Sequence, residues 1–314
     1  MNSHNYGEFI KDVRERRGWS QTKLAKGLMS REHLSRIELG KTKPSITILR
    51  DIFERLGMNH HFLAAYLLDV EDAEIEDIKS AIDGHFRMKE YDEAKEQLEK
   101  LETNERVNDE RSTAHRPNMQ YIMMCRARLA TENGQLDEAL NILMDALKVV
   151  RSEKFDLATI DTKWLLSKMD VQIINSIAGI YHDKDQIDEA IDLMLKLKAN
   201  YDRRFMDDMS KGAFYPTLIY NLSKYLGMAG RHKEAIEYCE VGEKICRSLG
   251  IMNMLPYIVN NKVASKLVSG EEMDYETAFI EIYHTLRLFG EYTDARILAK
   301  QVKDRLGFDL NPIP

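Results

Sequence analysis

The sequence predicts an all-α protein: a short helical head followed by a long array of paired helices. Three observations carry that prediction. Helical periodicity runs through almost the whole chain, with no convincing alternating stretch of the strand type. Only 6 prolines and 16 glycines punctuate 314 residues, which leaves long uninterrupted segments. One turn phrase returns again and again beyond the head, as it does in repeat architectures. At this length a head and a larger body form the natural division, and an apolar content of 44% provides a core for both.

The head, residues 1–68, reads as five short helices. Tyr6 to Arg17 is the first, stopped by Gly18. Ser20 is placed to cap a helix from Gln21 to Leu28, and Ser30 one from Arg31 to Leu39. Gly40 ends that helix, the loop Lys41-Thr42-Lys43-Pro44 follows, and Ser45 caps a helix to about Leu56. A last helix from Asn59 to about Leu68 closes the head, and the pair His60-His61 at its start reads as a helix terminus, since adjacent helical residues point in different directions.

Residues 69–83 form an acidic connector with Glu71, Asp72, Glu74, Glu76 and Asp77, read as the solvated face of a helix. Residues 84–314 hold the repeats. The turn phrase appears as Lys89-Glu90-Tyr91-Asp92-Glu93-Ala94, Asn133-Gly134-Gln135-Leu136-Asp137-Glu138-Ala139, Asp185-Gln186-Ile187-Asp188-Glu189-Ala190 and Gly230-Arg231-His232-Lys233-Glu234-Ala235. It returns more weakly as Gly290-Glu291-Tyr292-Thr293-Asp294-Ala295. Its chemistry is that of a helix-turn-helix hairpin: Gly or Asp at the bend, acids at the new N-terminus, and a small Ala where two helices touch. The first four alanines are spaced by 45, 51 and 45 residues, longer than the roughly 34 of a standard tetratricopeptide repeat. Asn104 to Pro117 has loop composition, and Arg151 to Lys168, with Trp164, is a second irregular joint.

The net charge of −7 conceals an asymmetry. Residues 1–68 carry 12 Lys and Arg against 7 Asp and Glu, a net of +5, so the remainder carries 33 against 45, a net of −12. Any nucleic-acid contact therefore belongs to the head. The three cysteines, Cys125, Cys239 and Cys246, are odd in number and lack C-x-x-C spacing, which points to reduced, buried thiols and a cytoplasmic location. No run of about 18 apolar residues offers a membrane span, and the polar start, Met1 to Lys11, has no apolar core of the kind a secretory signal needs.

In the head, Leu24, Ala25 and Leu28 form the inner face of one helix and Leu34 and Ile37 that of the next, with Ala25 small enough for a close crossing. Glu32, Ser35 and Arg36 then point outward, flanked by Arg31 and His33, which is what a recognition helix offers to a major groove. Arg31 and Arg36 are donors to guanine or phosphate, and Glu32 is an acceptor for a cytosine amino group. Gln21, at a helix N-terminus, is placed to fix a phosphate. Lys41 and Lys43 add phosphate contacts and salt dependence. Through Gln21, Leu24-Ala25, the Ser35-Arg36-Ile37-Glu38-x-Gly40 stretch and Pro44-Ser45, the head resembles the lambda-repressor-like (Xre-type) helix-turn-helix family. The turn Leu28-Met29-Ser30 is one residue shorter than the commonest form and is similar to that of the Gram-positive peptide-pheromone regulators of the PlcR, PrgX and Rgg type, the RRNPP class.

In the array, Asn175 and Asn221 precede the repeat alanines by 15 and 14 residues on the leading helices of successive pairs, and Asn260 and Asn261 lie on the next helix. An asparagine amide both donates and accepts, so a ladder of them suits an extended peptide backbone; wet helix faces and caps are the ordinary alternative, and the residues alone leave the two readings even. The resemblance implies the first, because these regulators combine such a head with a tetratricopeptide-like helical solenoid and grip a short signalling peptide with asparagines at these positions. Gln172 and Lys224 would share the groove wall. It further implies a homodimer on an inverted-repeat operator, with quorum sensing as the role. A docking scaffold for a protein partner such as a response regulator is the alternative reading of the array. No phosphate loop, H-E-x-x-H motif or nucleophile with a recognisably spaced histidine is present, so neither an enzyme, a cofactor nor a metal site is expected.

Overall fold

The computed structural model describes residues 6–42, 44, 46–56, 70–112, 114–151, 155–162, 164, 166–203 and 208–310, and among them there is no strand. The expected helix Asn59–Leu68 with His60-His61, the cap Ser45 and the loop residue Lys43 lie outside the described residues. Two compact units are present, residues 1–112 and 113–314.

The first unit contains α1 (Tyr6–Arg16), α2 (Gln21–Ala25), α3 (Arg31–Glu38), α4 (Ile46–Arg55), α5 (Val70–Met88) and α6 (Tyr91–Glu102). Gly18 leaves α1 at a φ of +64°. Ser20 and Ser30 cap α2 and α3 as expected, their hydroxyls accepting from the Lys23 and His33 amides at 3.1 Å each. Ile10, Leu24, Ala25, Leu34, Ile37, Leu49, Ile52, Phe53 and Leu56 close one buried cluster over the four helices. α2 stops at Ala25 instead of running to Leu28. Gly27 breaks it there at a φ of +79°, and Arg55 of α4 satisfies the freed helix-end acceptors, its Nη1 donating to the Leu24 carbonyl at 3.1 Å and to that of Lys26. In α5, Ile75, Ile82 and Phe86 are buried while Glu74, Glu76, Asp77 and Asp83 are exposed, so these acids line the wet side of one continuous helix.

The second unit contains α7 (His115–Glu132), α8 (Leu136–Arg151), a 3-10 turn (Leu157–Thr159), α9 (Lys168–Asp183), α10 (Ile187–Asp202), α11 (Asp208–Met228), α12 (His232–Leu249), α13 (Leu255–Ser269), α14 (Tyr275–Leu288) and α15 (Tyr292–Leu306). Pro117 falls in the first turn of α7, where its missing N–H breaks no helical bond. One apolar cluster runs from Ala127 on α7 to Ala235 on α12. The helices meet closely at Gly242, where a Cβ would stand 2.8 Å from Ile219 Cγ2 and 3.1 Å from Ile258 Cδ1.

The recurring phrase is one turn repeated five times. Lys89, Gly134, Asp185, Gly230 and Gly290 all take left-handed φ values, from +58° to +82°. The next residue in each case donates its N–H to the carbonyl five positions back at 2.8–2.9 Å, which closes the preceding helix. Five residues beyond the left-handed position stands the alanine, and Ala94, Ala139, Ala190, Ala235 and Ala295 are all at most 1% exposed. Lys89 and Asp185 therefore hold a Cβ where the other turns have glycine. Lys89→Gly is expected to stabilise the first unit by about 0.5–1 kcal/mol, the left-handed penalty less the entropy glycine loses on folding. A higher midpoint in urea unfolding checks it; a lower one contradicts it.

The loosening after Ala235 also has a structural form. α13 and α14 are joined by a longer turn, from Gly270, at a φ of +73°, to Asp274, which caps α14. Ala278 on α14 stands 43 residues after Ala235, in step with the earlier spacing, and the Gly290 turn leads only into the final helix α15. At the irregular joint, the Trp164 ring lies tilted against Phe155 at 5.0 Å and donates Nε1 to Thr159 Oγ1 at 3.1 Å. Buried Asn200 on α10 donates to the Ile160 and Trp164 carbonyls, which pins that joint to the core. All three cysteines are free and buried, and burial pushes the Cys239 thiol up to about 11.

Candidate functional site

Two surfaces carry the residues singled out by sequence, one on each unit. In the first, α3 offers Arg31, Glu32 and Arg36 exposed, with His33 and Ser35 half-buried between them. Lys41 is exposed just beyond Gly40, which turns the chain at a φ of +67°; the amides of Lys41 and Thr42 both donate to the Arg36 carbonyl, at 2.8 and 3.2 Å. The two arginines and Glu32 form no ion pair among the described residues, so their polar ends are available to a ligand.

What holds this face in place is not assigned by the sequence reading. Glu38, the last residue of α3, falls on the inner face one step past Ile37 and is only 3% exposed. Arg14 of α1 clasps it with Nε at 2.6 Å and Nη2 at 2.9 Å, and donates Nη1 to the Trp19 carbonyl at 2.8 Å. The Glu38 carboxylate, outweighing burial, raises the Arg14 guanidinium above its ordinary value. Gln21 Nε2 donates to Glu38 Oε2 at 2.8 Å, so one of the donors read as a phosphate contact is spent inside the protein. The usable signal is position: Leu34, Ile37 and Glu38 lie at i, i+3 and i+4, so an acid stands on an apolar face and requires a buried partner.

In the second unit, α9 and α11 meet along one line. Asn221 Nδ2 donates to Asn175 Oδ1 at 2.9 Å. One turn on, Gly179 leaves room for Tyr225, whose hydroxyl would be 4.0 Å from a Cβ there. Another turn on, the His182 ring lies 5.2 Å from that of Tyr225 and its Nε2 lies 3.2 Å from Met228 Sδ. Each of the three matches, 175 with 221, 179 with 225 and 182 with 228, is separated by 46 residues, so the two helices run in register. The asparagine pair uses one donor and one acceptor. Asn175 Nδ2 and Asn221 Oδ1 have no partner among the described residues, and neither is sealed from solvent.

Gln172, one turn before Asn175, and Lys224, one turn after Asn221, are half-buried on the same helices. Asn261 is turned instead into the contact between α11 and α13, donating to the Tyr220 carbonyl and Ser223 Oγ at 3.0 Å each. Asn260 is half-buried and is not bonded to the Asn175–Asn221 pair. Beside Asn261, Tyr220 and Tyr257 meet edge-on at 5.8 Å, and Tyr257 donates its hydroxyl to Asp294 at 2.6 Å. Among the described residues no group of three or more His, Cys, Asp or Glu is placed to hold a metal, and no helix is long and apolar enough to cross a membrane.

A buried polar junction supports the second surface. Asp170, completely buried at the start of α9, accepts from Gln120 Nε2 of α7 at 2.9 Å, Arg151 Nε of α8 at 3.0 Å and the Ser167 amide at 2.7 Å. Ser167 Oγ in turn accepts from the Asp170 amide, completing a capping box. Burial raises the Asp170 carboxyl, but the bonds from Arg151, Ser167 and Gln120 outweigh it and hold the group below its ordinary range.

Comparison with known proteins places the head and the whole fold. Residues 10–63 match the helix-turn-helix family HTH_3, so the head is a helix-turn-helix domain of the Xre type. The whole chain is similar in fold to PlcR of Bacillus thuringiensis in complex with the peptide PapR7 and DNA, at 18% identity over 93% of this chain and 98% of the other, with a TM-score of 0.68. It is also similar to the SHP pheromone receptor Rgg2 of Streptococcus dysgalactiae, at 11% identity over 96% and 99%, with a TM-score of 0.64. A PrgX variant matches at 15% identity over 95% and 93%, with a TM-score of 0.55. No curated protein sequence matches the chain. The fold is thus all-α, a helix-turn-helix domain followed by helical repeats, as in the PlcR, Rgg2 and PrgX structures.

Proposed function

We propose that this chain is a sequence-specific, DNA-binding transcription regulator whose helical repeats bind a short signalling peptide. Residues 1–68 would read DNA, 69–83 connect, and 84–314 sense and dimerise. The observation that carries the reading is the Asn175–Asn221 pair. A peptide unit has one N–H and one C=O, and the pair leaves one acceptor and one donor beside each other to meet them. Such a contact grips the backbone whatever the side chains, and Gln172, Lys224 and Asn260 supply further polar contacts along the ligand. Asn261 contributes by fixing α13 against α11. The similar PlcR structure holds both a peptide and DNA, which supports the pairing of the two activities.

At the head, Arg31, Glu32, His33, Ser35 and Arg36 would enter the major groove, with Lys41 and Lys43 on the phosphates, while Gln21 holds Glu38 at the end of the reading helix. Two heads of a homodimer would match a two-fold operator, and the chain would work in the cytoplasm. Selection of bound fragments from genomic DNA tests the head. Arg36→Ala is expected to weaken specific sites by about tenfold to a hundredfold, the size of one base-reading interaction. Lys41→Ala should instead weaken all sequences alike and flatten the salt dependence. Equal enrichment by wild type and Arg36→Ala would remove Arg36 from the reading face.

A further inference from the structure

Lysines that are partly buried reveal what each has as a counter-charge. Among the described residues these are Lys79, Lys148, Lys184, Lys196, Lys198, Lys224, Lys262 and Lys266. Seven of them sit on a carboxylate: Glu76, Asp145, Asp137, Asp192, Asp202, Glu243 and Glu271 in that order. Lys224 has none, and its ammonium lies 5.9 Å from the centre of the Tyr225 ring. Asp183, which faces Tyr225 from α9, is taken by His182 Nδ1 at 2.7 Å.

An ammonium on a half-buried side chain with no carboxylate against it is an open charge that an anionic ligand group can complement. This one stands one turn from Asn221, beside the free amide groups, in a body whose net charge is −12 beyond residue 68. On balance that body disfavours an anion, and beside the asparagine pair Lys224 is where an anionic group of the ligand is tolerated.

We propose that Lys224 determines specificity, selecting a peptide that places a carboxylate on its ammonium while Asn175 and Asn221 hold the adjoining backbone; this rests on the peptide reading above. The carboxylate belongs either to an Asp or Glu side chain or to the peptide's C-terminus, and both present the same chemistry to the ammonium.

Two random heptapeptide libraries, one ending in a free carboxylate and one amidated, distinguish the sources when panned against the full-length protein. The wild type is expected to retain peptides with Asp or Glu at a fixed position in both libraries, which assigns the side chain, or to retain peptides from the free-acid library alone, which assigns the C-terminus. In either case Lys224→Met should bind the retained peptides at least about tenfold more weakly, as expected when one charge-assisted hydrogen bond is removed. Lys224→Glu should exchange the preference for Lys or Arg at that position, a new specificity that a merely misfolded variant would not show. Peptides that bind wild type and Lys224→Met equally, yet fail on the Asn175→Ala, Asn221→Ala double variant, overturn this proposal and leave the peptide reading standing. Retention of no peptide from either library overturns both.

Discussion

Replacing Glu38 with alanine should unfold the head and abolish DNA binding while the second unit keeps its structure. The carboxylate is the counter-charge of Arg14, itself 6% exposed, and the partner of Gln21. Removing it leaves a guanidinium buried without compensation, a loss of about 3–5 kcal/mol, which is a large part of what a domain of this size has in total. The effect reaches function because Glu38 ends α3, the helix that displays Arg31 and Arg36. Hydrogen exchange resolved along the chain checks it: the amides of α1 to α4 should lose protection and those of α7 to α12 should keep it. Undiminished protection in α3 would show that the apolar cluster alone holds the reading helix.

Asp170→Ala should have a comparable effect on the second unit. Three elements end on that carboxylate, through Gln120, Arg151 and the Ser167 amide, and deleting it strands Arg151 and opens the capping box of α9. The expected loss is again about 3–5 kcal/mol. The same group sets an acid limb. Its folded value lies below the ordinary 3.8, so its contribution is full above that value and is lost as pH falls through the folded one. Unfolding of the wild type measured against pH should therefore steepen on the acid side, and Asp170→Asn should remove that part of the slope. An acid limb identical in Asp170→Asn would place the titration elsewhere.

The elements are largely legible in the sequence because their punctuation is local. Ser20 and Ser30 cap where they stand, and the turn phrase announces both the left-handed bend and the buried alanine of each hairpin. Where the sequence falls short, the cause is distant in the chain. α2 ends early where Gly27 turns left-handed, an end held by Arg55, thirty residues on, which takes the freed carbonyls. The phrase points to a fifth repeat at Gly290 because the turn before Tyr275 is longer and its alanine, Ala278, is preceded by Asp274 instead of by the usual residues.

The same division applies to the candidate sites. The outward set on α3 follows from a helical wheel, and the structure exposes Arg31, Glu32 and Arg36 while leaving His33 and Ser35 half-buried. The asparagines at 175 and 221 stand out by their step ahead of the repeat alanines, and the structure joins them directly. That Asn261 faces inward depends on the Tyr220 carbonyl across the helix interface, which no periodicity reveals. Asp170 and Glu38 are invisible as anchors in the sequence because their cationic partners lie 19 and 24 residues away on other elements.

The central claim is that the array senses a peptide through the Asn175–Asn221 pair. Calorimetric titration of the full-length protein with short peptides encoded beside its gene tests it most directly, with the double Asn175→Ala, Asn221→Ala variant in parallel. The wild type should bind one such peptide saturably and the variant should not, with thermal unfolding of the two proteins alike. Equal binding by both would move the site away from the asparagines, and no binding of any such peptide to the wild type would contradict the claim outright.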